Sequence, residues 1–166
     1  ALERLVSAEV LYRVNQRPAV LYQFKHALLQ DVAYQSLLKS ARQRHHLRLA
    51  HVLEEKFPTT AQSQPELLAH HFAEAGQPLA AIAYWLAAAK RATQRSANYE
   101  AIAQLRNGLA LLENLSSATD RLQREHQIRL MMIAPLIAVK GYASSELEET
   151  CDRVVSLSKE LGDTSA

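Results

Sequence analysis

Cysteine is nearly absent. Cys151 stands alone among 166 residues, so no internal disulfide can form and a reducing cytoplasm is the expected compartment. Glycine and proline are also scarce, at four and five residues, which excludes a loop-rich or collagen-like chain. Long apolar runs are missing. The longest, Ile128 to Val139, contains Arg129 and Pro135 and is too short to span a bilayer. No basic-then-apolar signal segment opens the chain. The first residue is not Met and lies inside an apolar periodic segment, so a fragment of a longer protein is expected. A strong charge of one sign is lacking too. The net charge of +2 does not demand a polyanionic partner.

What is present is apolar and helix-forming. Apolar residues make up 48% of the chain, enough to bury a sizeable core, and Ala, Leu, Gln, Glu and Arg are abundant. These residues lose little side-chain entropy in a helix. Charge divides unevenly. Residues 1–60 hold nine Lys/Arg against five Asp/Glu, and residues 61–166 hold ten against twelve. The length suits one compact domain or two small ones.

Leu2, Leu5, Val6 and Val10 have helical spacing. Two short β-like runs follow, Leu11–Val14 and Val20–Phe24, separated by the turn-forming Asn15-Gln16-Arg17-Pro18. From Lys25 the period becomes 3.6, and Ala27, Leu28, Val32 and Leu37 predict a helix of about three turns. A longer helix is expected from Ser40 toward Phe57, with Leu47, Leu49, Ala50, Val52 and Leu53 inward. Phe57-Pro58 is expected to end it, leaving a polar linker to Ser63.

Beyond residue 63 the pattern is regular. Ser63 and Glu66 have capping-box spacing, and the helix they open should close at Gly76. A second helix is expected from Pro78 to about Arg95. It is apolar nearly all round over residues 80–89, so it should lie between neighbours. A third carries the stripe Ile102, Leu105, Leu109 and Leu112. A fourth starts at Ser117, carries Pro135 as an expected kink, and ends at Lys140. A fifth starts at Ser145, with Leu147, Cys151, Val154 and Leu161 on one face. Five helices joined by short connections predict antiparallel neighbours stacked in order.

Ala69, Phe72, Gly76, Ala81, Tyr84, Trp85 and Ala88 resemble the small and aromatic pattern of a tetratricopeptide repeat. A second, divergent unit includes Tyr99, Ala101, Ile102, Leu105 and Gly108. Upstream, the run Tyr22 to Tyr34 resembles the segment that follows the ATPase core in bacterial STAND-type signalling ATPases, some of which carry a class III adenylate or guanylate cyclase domain. Residues 65–76, 97–112 and 140–142 are similar to that group as well. The resemblance implies a parent ordered as effector, P-loop ATPase, winged helix and helical repeats. The fold implied is all-α: a tetratricopeptide-like α-solenoid over 61–166, preceded over 1–60 by a short helix and hairpin from the winged helix and by linking helices.

Chemistry finds little support in the pattern. A P-loop needs clustered glycines before Lys-Ser/Thr, and Gly76, Gly108, Gly141 and Gly162 lie far apart. His45-His46, His51 and His70-His71 invite a metal reading. Adjacent histidines diverge by about 100° on a helix, unlike an i, i+4 pair, and no H-E-x-x-H occurs, so solvated or interfacial histidines are expected. For His26 the alternative is packing beside Phe24 as a satisfied core histidine. No G-x-S-x-G elbow accompanies the Ser, His and Asp residues. Glu148-Glu149 are read as solvated surface, and Tyr84-Trp85 as core. No catalytic, cofactor-binding or metal residue is therefore assigned.

The strongest positive feature is Lys39, Arg42, Arg44 and Arg48, with no acidic residue among them. They are assigned as contacts to a partner surface or to phosphate. The expected function is a regulatory protein–protein interaction module that binds a protein or peptide in the repeat groove and signals to the parent's ATPase core. The alternative is a DNA-contacting part of a transcription regulator, in which the same arginines meet duplex phosphates. A nucleic-acid partner is not expected from the overall charge, and no membrane partner is expected. An exposed stripe of Leu147, Val154 and Leu161 on the last helix would pair two copies.

Overall fold

A computed structural model describes residues 2–16 and 19–163, with side chains described for 2–14 and 22–162. Among the described residues there are nine α-helices, one 3-10 turn and two strands. The chain divides into two compact units, 1–42 and 43–166. The helical unit thus takes in residues 43–60, which the sequence pattern assigns to the N-terminal region.

The first unit holds helix α1 (Leu2–Ser7), strands β1 (Leu11–Gln16) and β2 (Ala19–Phe24), helix α2 (Ala27–Ser36) and the start of helix α3 (Lys39–Lys56). The strands pair antiparallel, with Leu11 opposite Phe24 and Arg13 opposite Tyr22, as the two β-like runs predict. The end of the predicted turn, Arg17-Pro18, lies outside the described residues. Leu11 is buried. Helix α2 differs from expectation: it buries none of its residues. Leu28, Val32 and Leu37 are 73%, 58% and 40% exposed, so its apolar spacing produces a helix without a core face in this unit. His26 is exposed, so it is not the core histidine that its position beside Phe24 suggests.

The second unit continues α3 and adds α4 (Pro58–Ser63), α5 (Pro65–Glu74), α6 (Pro78–Gln94), α7 (Asn98–Ala110), a 3-10 turn (Leu112–Asn114), α8 (Ala118–Lys140) and α9 (Ser145–Asp163). Each helix from α5 to α9 packs on the next in chain order. Three-residue connections at 75–77 and 95–97 make this geometry short-range. Two starts differ from the sequence pattern. Residues 58–63 are helix, because Pro58 sits in the first turn, where a missing N–H is harmless, and opens α4. Ser63 then ends α4, its hydroxyl donating to the Thr60 carbonyl, and Gln64 precedes α5 without a side-chain cap. Ser117 does cap α8, accepting from the Asp120 N–H at 3.1 Å. Pro135 is buried within α8, which is helical on both sides of it.

The core runs through α6–α9. Ile82, Leu86, Ile102, Leu105, Ile128, Met132, Leu136 and Leu147 form one buried cluster. Each fully buried Leu or Ile contributes about 1.5–3 kcal/mol relative to exposure. The apolar character of residues 80–89 is explained by this position: Ala81, Ile82, Leu86, Ala88 and Ala89 are all buried. A second cluster joins Ala50 of α3 to Leu68 and Phe72 of α5 and Ala81 of α6. Leu49, expected inward, is 44% exposed; the α3 face that packs is that of Ala50, Leu47 and Leu53. Two glycines mark special geometry. Gly76 ends the α5 region at φ +71°, with the Gln77 N–H closing on the Phe72 carbonyl at 2.9 Å. Gly108 lets α7 approach Ile128 of α8 closely.

The last helix is held from inside. Leu147 lies in the core, 7% exposed, and Leu157 is fully buried. Val154 and Leu161 are half-buried. The stripe drawn as an exposed dimer face is therefore largely the face that α9 turns to α8. Arg153 donates to both oxygens of Glu125 at 2.9 and 2.8 Å, and Arg129 shares that carboxylate. These bonds hold the Glu125 carboxyl below the usual carboxylate range, Arg153 contributing most. At the other end Glu146 accepts from Arg106 and Lys140.

Candidate functional site

The four basic residues singled out in the sequence all lie on α3. Helical spacing groups Arg44 with Arg48 (i, i+4) and Lys39 with Arg42 (i, i+3), on different sides of the helix. Lys39, Arg44 and Arg48 are exposed. Arg42 is half-buried, its guanidinium 5.2 Å from the centre of the Tyr34 ring. A cation over an aromatic face at this distance contributes about 0.5–1 kcal/mol, which gives Arg42 a local structural role. What the sequence presents as one basic cluster is thus one arginine pair and two differently placed residues.

A cleft opens where the end of α3, α4, α5 and α6 meet. It encloses about 460 Å³ and is lined by Glu54, Pro58, Ala61, Gln62, Pro65, Tyr84 and Ala87. Its walls are largely apolar, and at its polar end the Tyr84 hydroxyl donates to Glu54 Oε1 at 2.5 Å. Burial and the neighbouring carboxylate push the Tyr84 phenol up to about 12. Phe72 stacks on the Tyr84 ring, centroids 5.5 Å apart and planes 9° apart, so the tyrosine is fixed from behind. Arg91 donates to the Gln62 carbonyl at 3.0 Å and secures the rim. Tyr84, read from sequence as core, is half-buried with its hydroxyl in this cleft. The proline in the first turn of α4 and that of α5 both face it, a grouping that only the tertiary packing creates.

A second polar cleft, about 480 Å³, lies between α8 and α9 and is lined by Arg129, Ser145, Glu148, Glu149, Asp152 and Arg153. Its arginines are those already engaged with Glu125, so it is bounded by the bonds that hold α9 in place.

The third feature is histidine. His46 on α3 meets His70 and His71 on α5, with ligand-capable nitrogens of all three within 4.8 Å of one another. The Nδ1 atoms of His46 and His71 are 2.9 Å apart. Ring centroids lie 5.1 Å apart for His46 and His71, 5.9 Å for His46 and His70, and 5.5 Å for His70 and His71. Burial holds His46 and His71 below the ordinary imidazole value, the neighbouring imidazoles add to this, and Glu74 opposes it. Both rings are therefore biased toward the neutral form. The divergence of His70 from His71 is real, but His46 enters the angle between them from another helix. No local spacing signals this. His45 and His51 take no part in the trio; His51 contacts the Phe72 ring edge and Glu54.

No protein-family profile and no solved structure matches the chain. It is similar to an uncharacterized protein of Rhizobium meliloti (strain 1021), 27% identical over 160 residues. The alignment covers 96% of this chain and 16% of that protein, so the chain spans less than one-fifth of the relative's length. Among the described residues no helix is long and apolar enough to cross a membrane.

Proposed function

We propose that the chain is a helical-repeat interaction module, a tetratricopeptide-like solenoid within a longer cytoplasmic signalling protein, and that it binds a protein or peptide segment in the cleft between α3, α4, α5 and α6. The cleft itself carries this reading. Its apolar walls suit one or two apolar side chains, and the Glu54 carboxylate beside Tyr84 suits a cationic group on the same segment. A site of about 460 Å³ is of the size that takes a short peptide stretch rather than a flat surface. The similarity to a small fraction of a much longer protein supports a longer parent, and the resemblance of residues 22–34 to STAND-type ATPases is the ground for giving that parent an ATPase core and an effector such as a nucleotide cyclase. In that parent the occupied cleft would signal to the ATPase through the N-terminal hairpin region.

A photo-crosslinking residue at Gln62, on the cleft wall, tests this in the parent protein inside its host. A defined protein or segment should be captured at Gln62 and not at Gln123 on the exposed side of α8, and Glu54→Arg should abolish the capture. Equal labelling from both positions, or capture that survives Glu54→Arg, would reject the cleft as the binding site.

A further inference from the structure

We propose that His46, His70 and His71 form a binding site for a single first-row transition-metal ion, of the Zn²⁺ or Ni²⁺ class, that clamps α3 to α5. This is independent of the peptide cleft. Three imidazoles within 4.8 Å make a compact nitrogen donor set, and imidazole is a preferred ligand for these ions. The distances fit. Ligand atoms about 2.1 Å from a tetrahedral Zn²⁺ lie about 3.4 Å from one another. The His46 and His71 Nδ1 atoms, at 2.9 Å, need to separate by only about half an ångström, within the range of small χ adjustments. The two nitrogens lie at hydrogen-bonding distance, and an ion bound between them would replace that contact.

The surroundings favour the charge. His46 and His71 are half-buried while His70 is exposed, so the site is anchored on one side and open to solvent on the other. Glu74, one turn beyond His70 and His71 on α5, is the carboxylate whose charge acts on both His46 and His71. It offsets part of the ion's charge without belonging to the donor trio. Three protein ligands leave a further position for water or an exchangeable group, the pattern of an open rather than a sealed metal site.

The structural consequence is specific. His46 lies one helical turn before Ala50, the α3 residue packed on Leu68 and Phe72, and the Gln43 side chain approaches Gly76 one turn earlier. An ion at the trio would tie α3 to α5 between these two contacts. It would raise stability as RT ln(1 + c/Kd), with c the free ion concentration, because no preformed site exists in the unfolded chain.

The test is calorimetric titration of the tag-free chain, stripped with EDTA, against ZnCl₂ and NiCl₂, with thermal unfolding followed in parallel. The expected result is one equivalent bound per chain and a rise in unfolding midpoint that EDTA reverses. His46→Ala and His71→Ala should weaken binding more than about tenfold, while His45→Ala and His51→Ala leave it unchanged. Binding that is absent at micromolar ion, or that survives His46→Ala and His71→Ala, overturns the site. Equal loss in the His45→Ala control would also overturn it, because that marks scattered surface histidines. Should an alanine variant fail to fold, metal-edge X-ray absorption of the unaltered loaded chain decides: scattering from three imidazoles supports the trio, and scattering from one or none removes it.

Discussion

Gly108 offers the sharpest test of how α6, α7 and α8 pack. A Cβ added there would lie 3.3 Å from Cδ1 of Ile128, with Ile128 Cγ1 and Trp85 Cβ both at 3.8 Å. Carbon atoms pack best at about 3.5–4.0 Å, so one of the three contacts is short by a few tenths of an ångström. Ile128 is fully buried among Leu105, Met132 and their neighbours, and its terminal methyl has little room to retreat. Against this stands the backbone: replacing glycine by alanine in a helix interior gains about 1 kcal/mol. Gly108→Ala should therefore stay within about 1 kcal/mol of the natural chain. Gly108→Val places two more methyl groups in the same gap and gains less from propensity. Overpacking of this kind costs about 1–3 kcal/mol, and a loss near 2 kcal/mol is expected, moving the urea midpoint down by about 1 M.

Ile128→Val deletes the offending Cδ1 and separates packing from propensity. Alone it should cost about 0.5–1.5 kcal/mol. In a Gly108→Ala background it also relieves the short contact, so it should cost at least about 0.5 kcal/mol less than on its own. Urea unfolding followed by far-UV circular dichroism on the four members of the cycle reads this coupling. A Gly108→Val chain as stable as the natural one, or a cycle whose single effects simply add, would refute the close approach of α7 to α8.

The α5–α6 and α6–α7 turns make a matched pair. Gly76→Ala should destabilise by about 1–2 kcal/mol, because φ +71° is costly for a residue with a Cβ, whereas Ser96→Gly, at φ +59°, should stabilise by up to about 1 kcal/mol; thermal melts distinguish the two signs. Spectrophotometric titration at alkaline pH should show one phenol ionising near 12, absent in Tyr84→Phe. The sign follows from the raised value: the Tyr84 contribution to stability is complete below pH 10 and is lost as pH rises through about 12. Glu125→Gln, which removes the carboxylate shared by Arg153 and Arg129 and leaves Arg153 only its bond to Glu160, should cost about 1–3 kcal/mol. It should also raise hydrogen exchange in α9 before the other helices, and uniform exchange would count against that assignment. Duplex DNA titrated with the chain at moderate salt should give a flat response that Arg44→Ala and Arg48→Ala do not change. A salt-dependent isotherm lost in those variants would instead restore the DNA-contacting reading.

Much of the fold is legible in the sequence because most of its signals are local. The 3.6-residue spacing of Ile102 and Leu105, the cap at Ser117 and the all-round apolar face at 80–89 each act within a few turns, and the structure uses each of them. Signals that depend on partners read less well. Leu28 and Val32 have helical spacing, yet α2 meets nothing that buries them within its unit. Pro58 reads as a stop because it follows a long helix, yet the same missing N–H makes it a start for α4. At the sites, Glu54 and Tyr84 are thirty residues apart in sequence, and His46 is twenty-five from His71. Side chains that converge from different helices leave no spacing to detect. The visible feature, a run of arginines in α3, is divided by the helix itself into different faces.

Both proposed sites draw on α3, and this makes coupling between them measurable. His46 and Glu54 are eight residues apart on one helix, a separation of about 12 Å along its axis. An ion held by His46, His70 and His71 fixes α3 against α5 at one end of that interval. Glu54, at the other end, sets the polar corner of the cleft against Tyr84. A segment bound in the cleft restrains the same helix from its far end. If either ligand orders α3 in the position the other requires, each must raise the affinity for the other by the same factor. Metal titration in the presence and absence of a captured cleft segment measures that factor from one side, and segment binding with and without the ion measures it from the other. Equal factors above one would show α3 acting as a shared element. Factors of one would show that two sites on the same helix bind independently, each held by its own packing on α5.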